Sequence, residues 1–278
     1  MDSLVSFEGA ADVLNNLINK ISDAVGWGGT HSTPQREAVS TYIQEIQNSN
    51  YDPLTKAALI SNAKKIIREY SNQSEIIKNA ASILKPSAQP HLIDNTWLSQ
   101  FMDKARLVSD ADFQLIWGNI LAEECDKPNS IPKGLLHILE QLDKEDASKF
   151  SKVCSVSVRF ADGKDFSNTP VILRGDKSAF YDDIGLTLDT LLDLKAIGLI
   201  EYEPSSSAFS ESPYRISAAG PEICYFDETF RLPKGETTFD TGCVVYTRSG
   251  EALCRAITVE KIEGFFQKYC IPLWKNKG

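Results

Sequence analysis

The sequence predicts a mostly helical α+β protein, with a helical domain over residues 1–154 and a smaller α+β, winged-helix-like domain over residues 155–278. Three observations predict this class. Before residue 154, apolar residues recur at helical spacing between turn signals. After it, short alternating segments typical of strands appear. Finally, the order helix, glycine, short apolar strand, loop and returning strand resembles the end of a winged-helix unit.

The first three helices are marked by their start and stop signals. The first carries an apolar stripe over residues 4–25 and ends in the glycine-rich run 26–29. The next two begin where proline occupies the first helical position, at 33–34 and at 52–53. The stripe of the third continues to Leu84, so this segment is either one long helix or two helices joined near Asn72.

The remaining helices of the first domain begin at capping residues. We expect Asp94 to cap a helix that carries Trp97 and Phe101. Ser109 and Asp112 stand at capping-box spacing before a helix that carries Trp117. A helix over 135–142 and a short one capped by Asp143 complete the domain.

The second domain alternates strands with short helices. Strands are predicted at 155–160, 171–173, 199–202, 214–216, 223–226 and 243–246. Thr187 is predicted to cap a helix that ends at Gly198, and Ser249-Gly250 to begin another. A final helix is predicted from Ile262 to Tyr269.

Composition narrows the function classes. The net charge of −9 argues against a protein that coats nucleic acid, which would show a basic surface. The six cysteines are widely spaced without the ligand pattern of a zinc site, so we expect no metal and no cofactor. No apolar stretch is long enough to cross a bilayer, so we do not expect the protein to associate with a membrane. The acidic N-terminus lacks secretory character, so a cytoplasmic location is expected.

An acidic group surrounds the helix that carries Trp117. Its members are Asp110, Asp112, Glu123, Glu124 and Asp126. Clustered carboxylates can bind a divalent cation. The alternative is a solvated helix face with a capping acid at its start. The alternative is preferred, because no Glu-x-x-His partner supplies nitrogen ligands.

Gln114 and Trp117 lie one helical turn apart. A rigid aromatic beside an amide can form a binding surface. A core tryptophan is the preferred interpretation, with Gln114 or a backbone carbonyl accepting the indole N–H. No catalytic residue is predicted, because the three histidines are scattered and no local signature of a Cys–His nucleophile is present.

Nucleic-acid contact is kept as an alternative. The candidate contacts are Arg215, Arg231, Arg248 and Arg255. The helix at the recognition position carries Asp189 and Asp193 against the lone Lys195, and these acids would be repelled by phosphates. The arginines would therefore have to act from strands and loops.

Several segments together resemble a known family. The runs NQSEIIKNAASIL (72–84), DNTWLSQFMDKARLVSDADFQLIWGNILAEE (94–124) and LEQLDKEDASKF (139–150) resemble a bacterial family catalogued as domain of unknown function 2806. Its W-L-x-x-F and V-S-D-x-x-x-Q-x-x-W patterns are matched between Trp97 and Glu123. The motif residues are Trp97, Phe101, Ser109, Asp110, Gln114, Trp117 and Glu123. YTRSGEALCRAI (246–257) resembles the family's T-x-x-G-x-x-L helix start, whereas Pro128-Asn129-Ser130 departs from its usual P-G-S.

The resemblance implies no agreed activity, but the family's occurrence near mobile elements implies a role in conflict between bacterium and phage. The leading hypothesis is a non-catalytic interaction or regulatory protein, linked to antiphage defence, that binds a protein partner or associates with itself. A DNA-binding regulator that uses the C-terminal unit is the second hypothesis. A toxin-like enzyme whose site is assembled from distant residues is the third.

Overall fold

A computed structural model describes residues 2–26, 32–163, 165–204 and 214–275, with side-chain surroundings from residue 12 onward except at 32–38 and 176. Of the predicted glycine-rich stop at 26–29, only Gly26 is among these residues, and the rest lies outside them. The chain forms two compact units, Met1–Leu136 and His137–Gly278. The mostly helical α+β class is confirmed, while the winged-helix character and the division at residue 154 stay predictions.

Among the described residues of the first unit, all regular elements are helices. Its elements are α1 (Asp2–Val25), α2 (Ser32–Asn48), α3 (Pro53–Ala81), a 3-10 turn (Pro90–Leu92), α4 (Asn95–Ala105), α5 (Ala111–Asp126) and the start of α6 (Lys133–Gln141). The long third segment is one unbroken helix, which settles the alternative left open at Asn72.

Carboxylate caps determine where these helices begin. The side chain of Asp52 accepts from the N–H groups of Leu54 and Thr55, at the helix start predicted from the proline. That of Asp94 accepts from the N–H of Trp97, as predicted. The predicted capping box at Ser109 is wrong. Asp110 caps α5 instead, because its carboxylate lies directly before the first helical residue and reaches two N–H groups, as a capping acid does.

A cluster of three aromatic rings lies in the core of the first unit. The ring centroids of Trp97 and Phe101 are 5.1 Å apart, and those of Phe101 and Trp117 are 5.0 Å apart. All three side chains are buried. Gly118 lets α5 approach α3 closely, since an added Cβ would lie 2.6 Å from the Cβ of Asn79.

The second unit combines short helices with small antiparallel sheets. Its helices are α7 (Lys144–Ser155), α8 (Ser178–Asp183), α9 (Leu188–Ala196), α10 (Arg248–Ala256) and α11 (Ile271–Lys275). Its strands are β1 (Ser157–Asp162), β2 (Asp165–Pro170), β3 (Ile200–Tyr202), β4 (Tyr214–Ser217), β5 (Glu222–Tyr225), β6 (Glu228–Arg231), β7 (Thr238–Gly242) and β8 (Val244–Tyr246). Among described residues the sheets run β2-β1-β5-β6, β3-β8 and β4-β7.

Several predictions for this unit are corrected. The strand predicted at 171–173 is a single bridge between Ile172 and Gly242. Strands β2, β6 and β7 and helix α8 were not predicted, because their segments are polar and lack a clear apolar alternation.

The final helix begins later than predicted. The N–H of Ile262 donates to the hydroxyl of Tyr225 at 2.9 Å, which holds that segment outside the helix. The helix then passes through a π turn at Phe266–Cys270 and continues as α11. Pro272 has no N–H for the usual helical bond, and the wider π turn precedes it.

Candidate interaction surface

The family-like aromatic residues do not form a surface. Trp97, Phe101 and Trp117 are buried, which confirms the preferred interpretation of Trp117 as a core residue. The expected acceptor for its indole N–H is wrong, because this group has no hydrogen-bond partner among the described residues. Gln114 instead donates from Nε2 to the carbonyl of Val108 at 2.9 Å. These residues therefore act on any partner only through the fold they maintain.

Side-chain amides hold the α4–α5 connection against α3. Asn72 Nδ2 donates to the carbonyl of Arg106 and Gln73 Nε2 to that of Met102, each at 2.9 Å. Gln114 Nε2 also lies 3.5 Å from Asn72 Oδ1. Arg106 follows the last residue of α4, where carbonyls lack helical partners, whereas the carbonyl of Met102 also accepts from the N–H of Arg106 at 3.3 Å. The amides of the motif thus have a structural role.

The acidic group separates into residues with different roles. Asp110 caps α5, Ser109 is exposed beside it, and Glu123 is partly exposed. The neighbouring Glu124 is only 1% exposed, and no separate role was predicted for it. No group of three or more His, Cys, Asp or Glu side chains is placed to hold a metal ion in the described parts of the chain.

Glu124 closes the turn that follows α5. Its two carboxylate oxygens accept from the N–H of Asn129 at 2.6 Å and from that of Ile131 at 2.9 Å. Asn129 adopts a left-handed conformation with φ of 68°. Burial raises the pKa of Glu124 above its ordinary value, against the opposing effect of these N–H donors. The helix-breaking run 128–130, which begins four residues after Glu124, was the signal in the sequence.

The threonine–glycine motif is a packing device. Thr247 Oγ1 accepts from the N–H of Gly250 at 3.0 Å and donates to the carbonyl of Gly198 at 2.7 Å. A Cβ on Gly250 would collide with the carbonyl oxygen of Leu199. The buried Leu253 completes the pattern. The motif therefore locks the start of α10 onto the end of α9.

The four candidate arginines lie on three elements of the second unit. Arg215 is on β4, where its Nε is 3.5 Å from a carboxylate oxygen of Asp240, and Arg231 ends β6. Arg248 and Arg255 lie two turns apart on α10, and Arg255 is 3.3 Å from Glu251. Contact between these arginines and nucleic acid stays a prediction.

The exposed face of α9 differs from these structural motifs. Thr187 caps this helix by accepting from the N–H of Thr190, and the opposite side buries Thr190, Leu191 and Leu194. On the outer side Leu188 is 48% exposed and Leu192 is 47% exposed. Each leucine is followed by an exposed aspartate. We call Leu188, Asp189, Leu192 and Asp193 the α9 face.

The acids of the α9 face outweigh the lysines around it. Asp193 accepts from Lys149 Nζ at 2.8 Å. Lys149 also lies 2.8 Å from Glu145, and these two hydrogen bonds, that to Asp193 first, raise the pKa of Lys149. Because the single charge of Lys149 is shared between the carboxylates of Asp193 and Glu145, this group of three residues keeps a net negative charge.

Lys195 is held away from the α9 face in a similar manner. Its Nζ donates to the carbonyl of Tyr202 at 3.0 Å and lies 3.7 Å from Glu201. Asp189 therefore keeps its charge toward solvent beside two exposed leucines. An apolar row beside an acidic row suits an apolar, cationic surface and repels phosphate.

Comparison with known proteins identifies the family to which the chain belongs. None of the described helices combines the length and apolar character needed to span a membrane. Neither the curated proteins nor the solved structures that were compared gave a match. The model of the family described as Protein of unknown function (DUF2806) matches residues 61–270. That match covers most of the chain and includes the aromatic core, the amide contacts and the threonine–glycine motif, so this protein belongs to the DUF2806 family.

Proposed function

We propose that this protein is a non-catalytic interaction protein that binds a partner protein through the α9 face. The exposed pair Leu188 and Leu192 is the observation that carries the proposal, because it places two large apolar side chains in solvent one turn apart. Complete burial of an exposed leucine is favourable by about 1.5–3 kcal/mol, and each of these half-buried side chains would gain about half of that against a partner.

The surroundings of this pair support a protein partner over a nucleic acid. Along the chain, α8, a short turn, α9 and β3 follow one another. Strand β3 then pairs with β8, and this arrangement is compatible with a winged-helix unit. In such a unit α9 would occupy the recognition position. Its outer acids would repel phosphate, so we propose that the helix serves protein recognition instead.

The test is an affinity purification from the native cell with the wild-type chain and with Leu192→Arg. Leu115 on α5 is 49% exposed, so Leu115→Arg is a matched control for adding the same charge at another exposed leucine. We expect a protein that is recovered with the wild type and with Leu115→Arg, and lost with Leu192→Arg. Recovery of the same proteins with all three chains would contradict the proposal.

A role in antiphage defence is proposed on the resemblance to the family. If the interaction serves defence, a strain that carries Leu192→Arg will lose as much protection in a phage plating assay as a strain without the gene. Equal protection by the wild type and by this variant would remove the link between the α9 face and defence.

A further inference from the structure

A stripe of exposed residues runs along the first four turns of α3. Positions separated by three or four residues lie on one side of a helix, and all of those on this side are exposed. The stripe consists of Leu54, Ala57, Ala58, Ser61, Lys64, Lys65 and Arg68. We call it the α3 stripe.

The α3 stripe has an apolar half and a basic half. Leu54 is 80% exposed, and the small residues behind it leave room for a second helix to approach. Lys64 and Arg68 follow one turn apart and form no ion pair with another described residue, while Lys65 lies 3.8 Å from Glu69. Adjacent like charges at this spacing destabilise a helix slightly in isolation. A partner that carries acids would relieve this repulsion.

The α9 face has the complementary arrangement. Its leucines form one row along the helix and its aspartates form the neighbouring row. If α9 crosses α3 at a steep angle, the two rows follow one another along the axis of α3. Leu188 and Leu192 then cover the alanines of the stripe. Asp189 reaches its cations, and Asp193, which already accepts from Lys149, stands beside it. The size of the small residues and the signs of the charges both agree with this contact.

We propose that the α9 face of one chain binds the α3 stripe of a second copy. The inference rests on the proposed use of the α9 face for protein binding and names a second copy as its occupant. Two copies can make this contact once, which leaves one surface of each copy free, or twice around a two-fold axis, which closes a dimer. In both arrangements association increases with protein concentration. A partner protein of the same basic, apolar chemistry would compete for the α9 face.

The test is sedimentation velocity of the full chain over a range of protein and salt concentrations. We expect reversible association that weakens as salt rises, because charge contacts contribute to it. Asp189→Lys and Lys64→Glu should each raise the dissociation constant by about tenfold, since an attraction is replaced by a repulsion. The double variant that carries both changes should recover association, because it restores a pair of opposite charges.

Matched controls reverse charges elsewhere on the surface. Glu260→Lys and Lys234→Glu change the net charge by the same amounts at other exposed positions, and should leave association unchanged. A wild-type chain that stays monomeric at every concentration overturns the second copy as occupant. So does association that both single variants leave intact, or a double variant no better than the singles.

The affinity purification separates this inference from the proposed function. A monomeric chain whose protein partner is lost with Leu192→Arg keeps the proposed function and overturns self-association through the α3 stripe. The opposite outcome has two parts: the double variant restores association, and Leu192→Arg changes no partner in the purifications. That outcome supports the second copy as the occupant of the α9 face and contradicts a different protein there.

Discussion

At the scale of single residues, Glu124 shows how a buried charge organises a turn. A carboxylate that is 1% exposed would be strongly unfavourable without partners, and here each oxygen accepts a backbone N–H. These donors belong to the segment after α5, where Asn129 adopts its left-handed conformation. The acid therefore supplies acceptors for two N–H groups of the turn between α5 and α6.

We predict that Glu124→Ala lowers the free energy of unfolding by about 1–3 kcal/mol, because two backbone N–H groups lose their acceptors and the bond from Ile131 is buried. The measurement is urea unfolding near pH 7. Glu260→Ala, at an exposed position, is the control and should change the value by less than about 0.5 kcal/mol. A loss no larger than that of the control would contradict the structural role of the carboxylate.

The same residue gives a prediction for pH. The pKa of Glu124 is raised from 4.5 in the folded chain, so the folded state holds this proton more tightly than the unfolded state. The contribution of Glu124 to stability is therefore fully present below its unfolded pKa and declines as pH rises through the folded pKa. The difference between wild type and Glu124→Ala should shrink over that window. A difference that grows with rising pH would show that the N–H donors outweigh burial.

At the scale of elements, glycines and caps determine how closely helices approach. Gly118 brings α5 against α3, and Gly250 brings α10 against the carbonyl of Leu199. Thr247 holds the same place by bonding both the start of α10 and the end of α9. Close approach here depends on the absence of a side chain. Alanine at either position would favour the helix itself but would keep it further from its neighbour.

We predict that Gly250→Ala costs about 1–3 kcal/mol, although alanine is the better helix former, because α10 must move away from Leu199. Thermal unfolding of the full chain measures the loss. Gly220→Ala is the matched control, since its added Cβ would meet only Ala161 at 3.4 Å, an ordinary contact. An equal melting temperature for both variants would mean that the approach at Gly250 relaxes without cost.

At the scale of the whole molecule, the chain contains two compact units with separate aromatic cores. The first is centred on Trp97, Phe101 and Trp117. In the second, Phe266 lies between Tyr225 and Trp274, with centroid distances of 5.6 Å and 5.7 Å. Each unit thus buries apolar surface of its own and has its own source of stability.

We predict that Trp117→Ala destabilises the first unit by about 3–5 kcal/mol, the usual cost of removing a large buried aromatic side chain. Hydrogen exchange of the full chain should then show lost protection in α3 and α5 and retained protection in β1 and β5. Equal loss of protection in both units would mean that they unfold together. An unchanged melting temperature would place Trp117 outside the core.

The sequence by itself determined the features that depend on neighbouring residues. The helical stripes, the helix start at 52–53, the caps at Asp94, Asp143 and Thr187, and the burial of Trp117 all follow from local spacing and side-chain chemistry. The family resemblance also came from local patterns, and the match over residues 61–270 confirms it.

Tertiary structure alone decided the features that depend on distant residues. Strands β2, β6 and β7 form because partner strands supply hydrogen bonds to segments that lack an apolar alternation. The roles of Gly250 and Thr247 depend on Leu199 and Gly198, about fifty residues earlier in the chain. The exposure of Leu188 and Leu192 likewise depends on which side of α9 the second unit buries, because a helix rich in leucine does not by itself indicate which leucines remain in solvent.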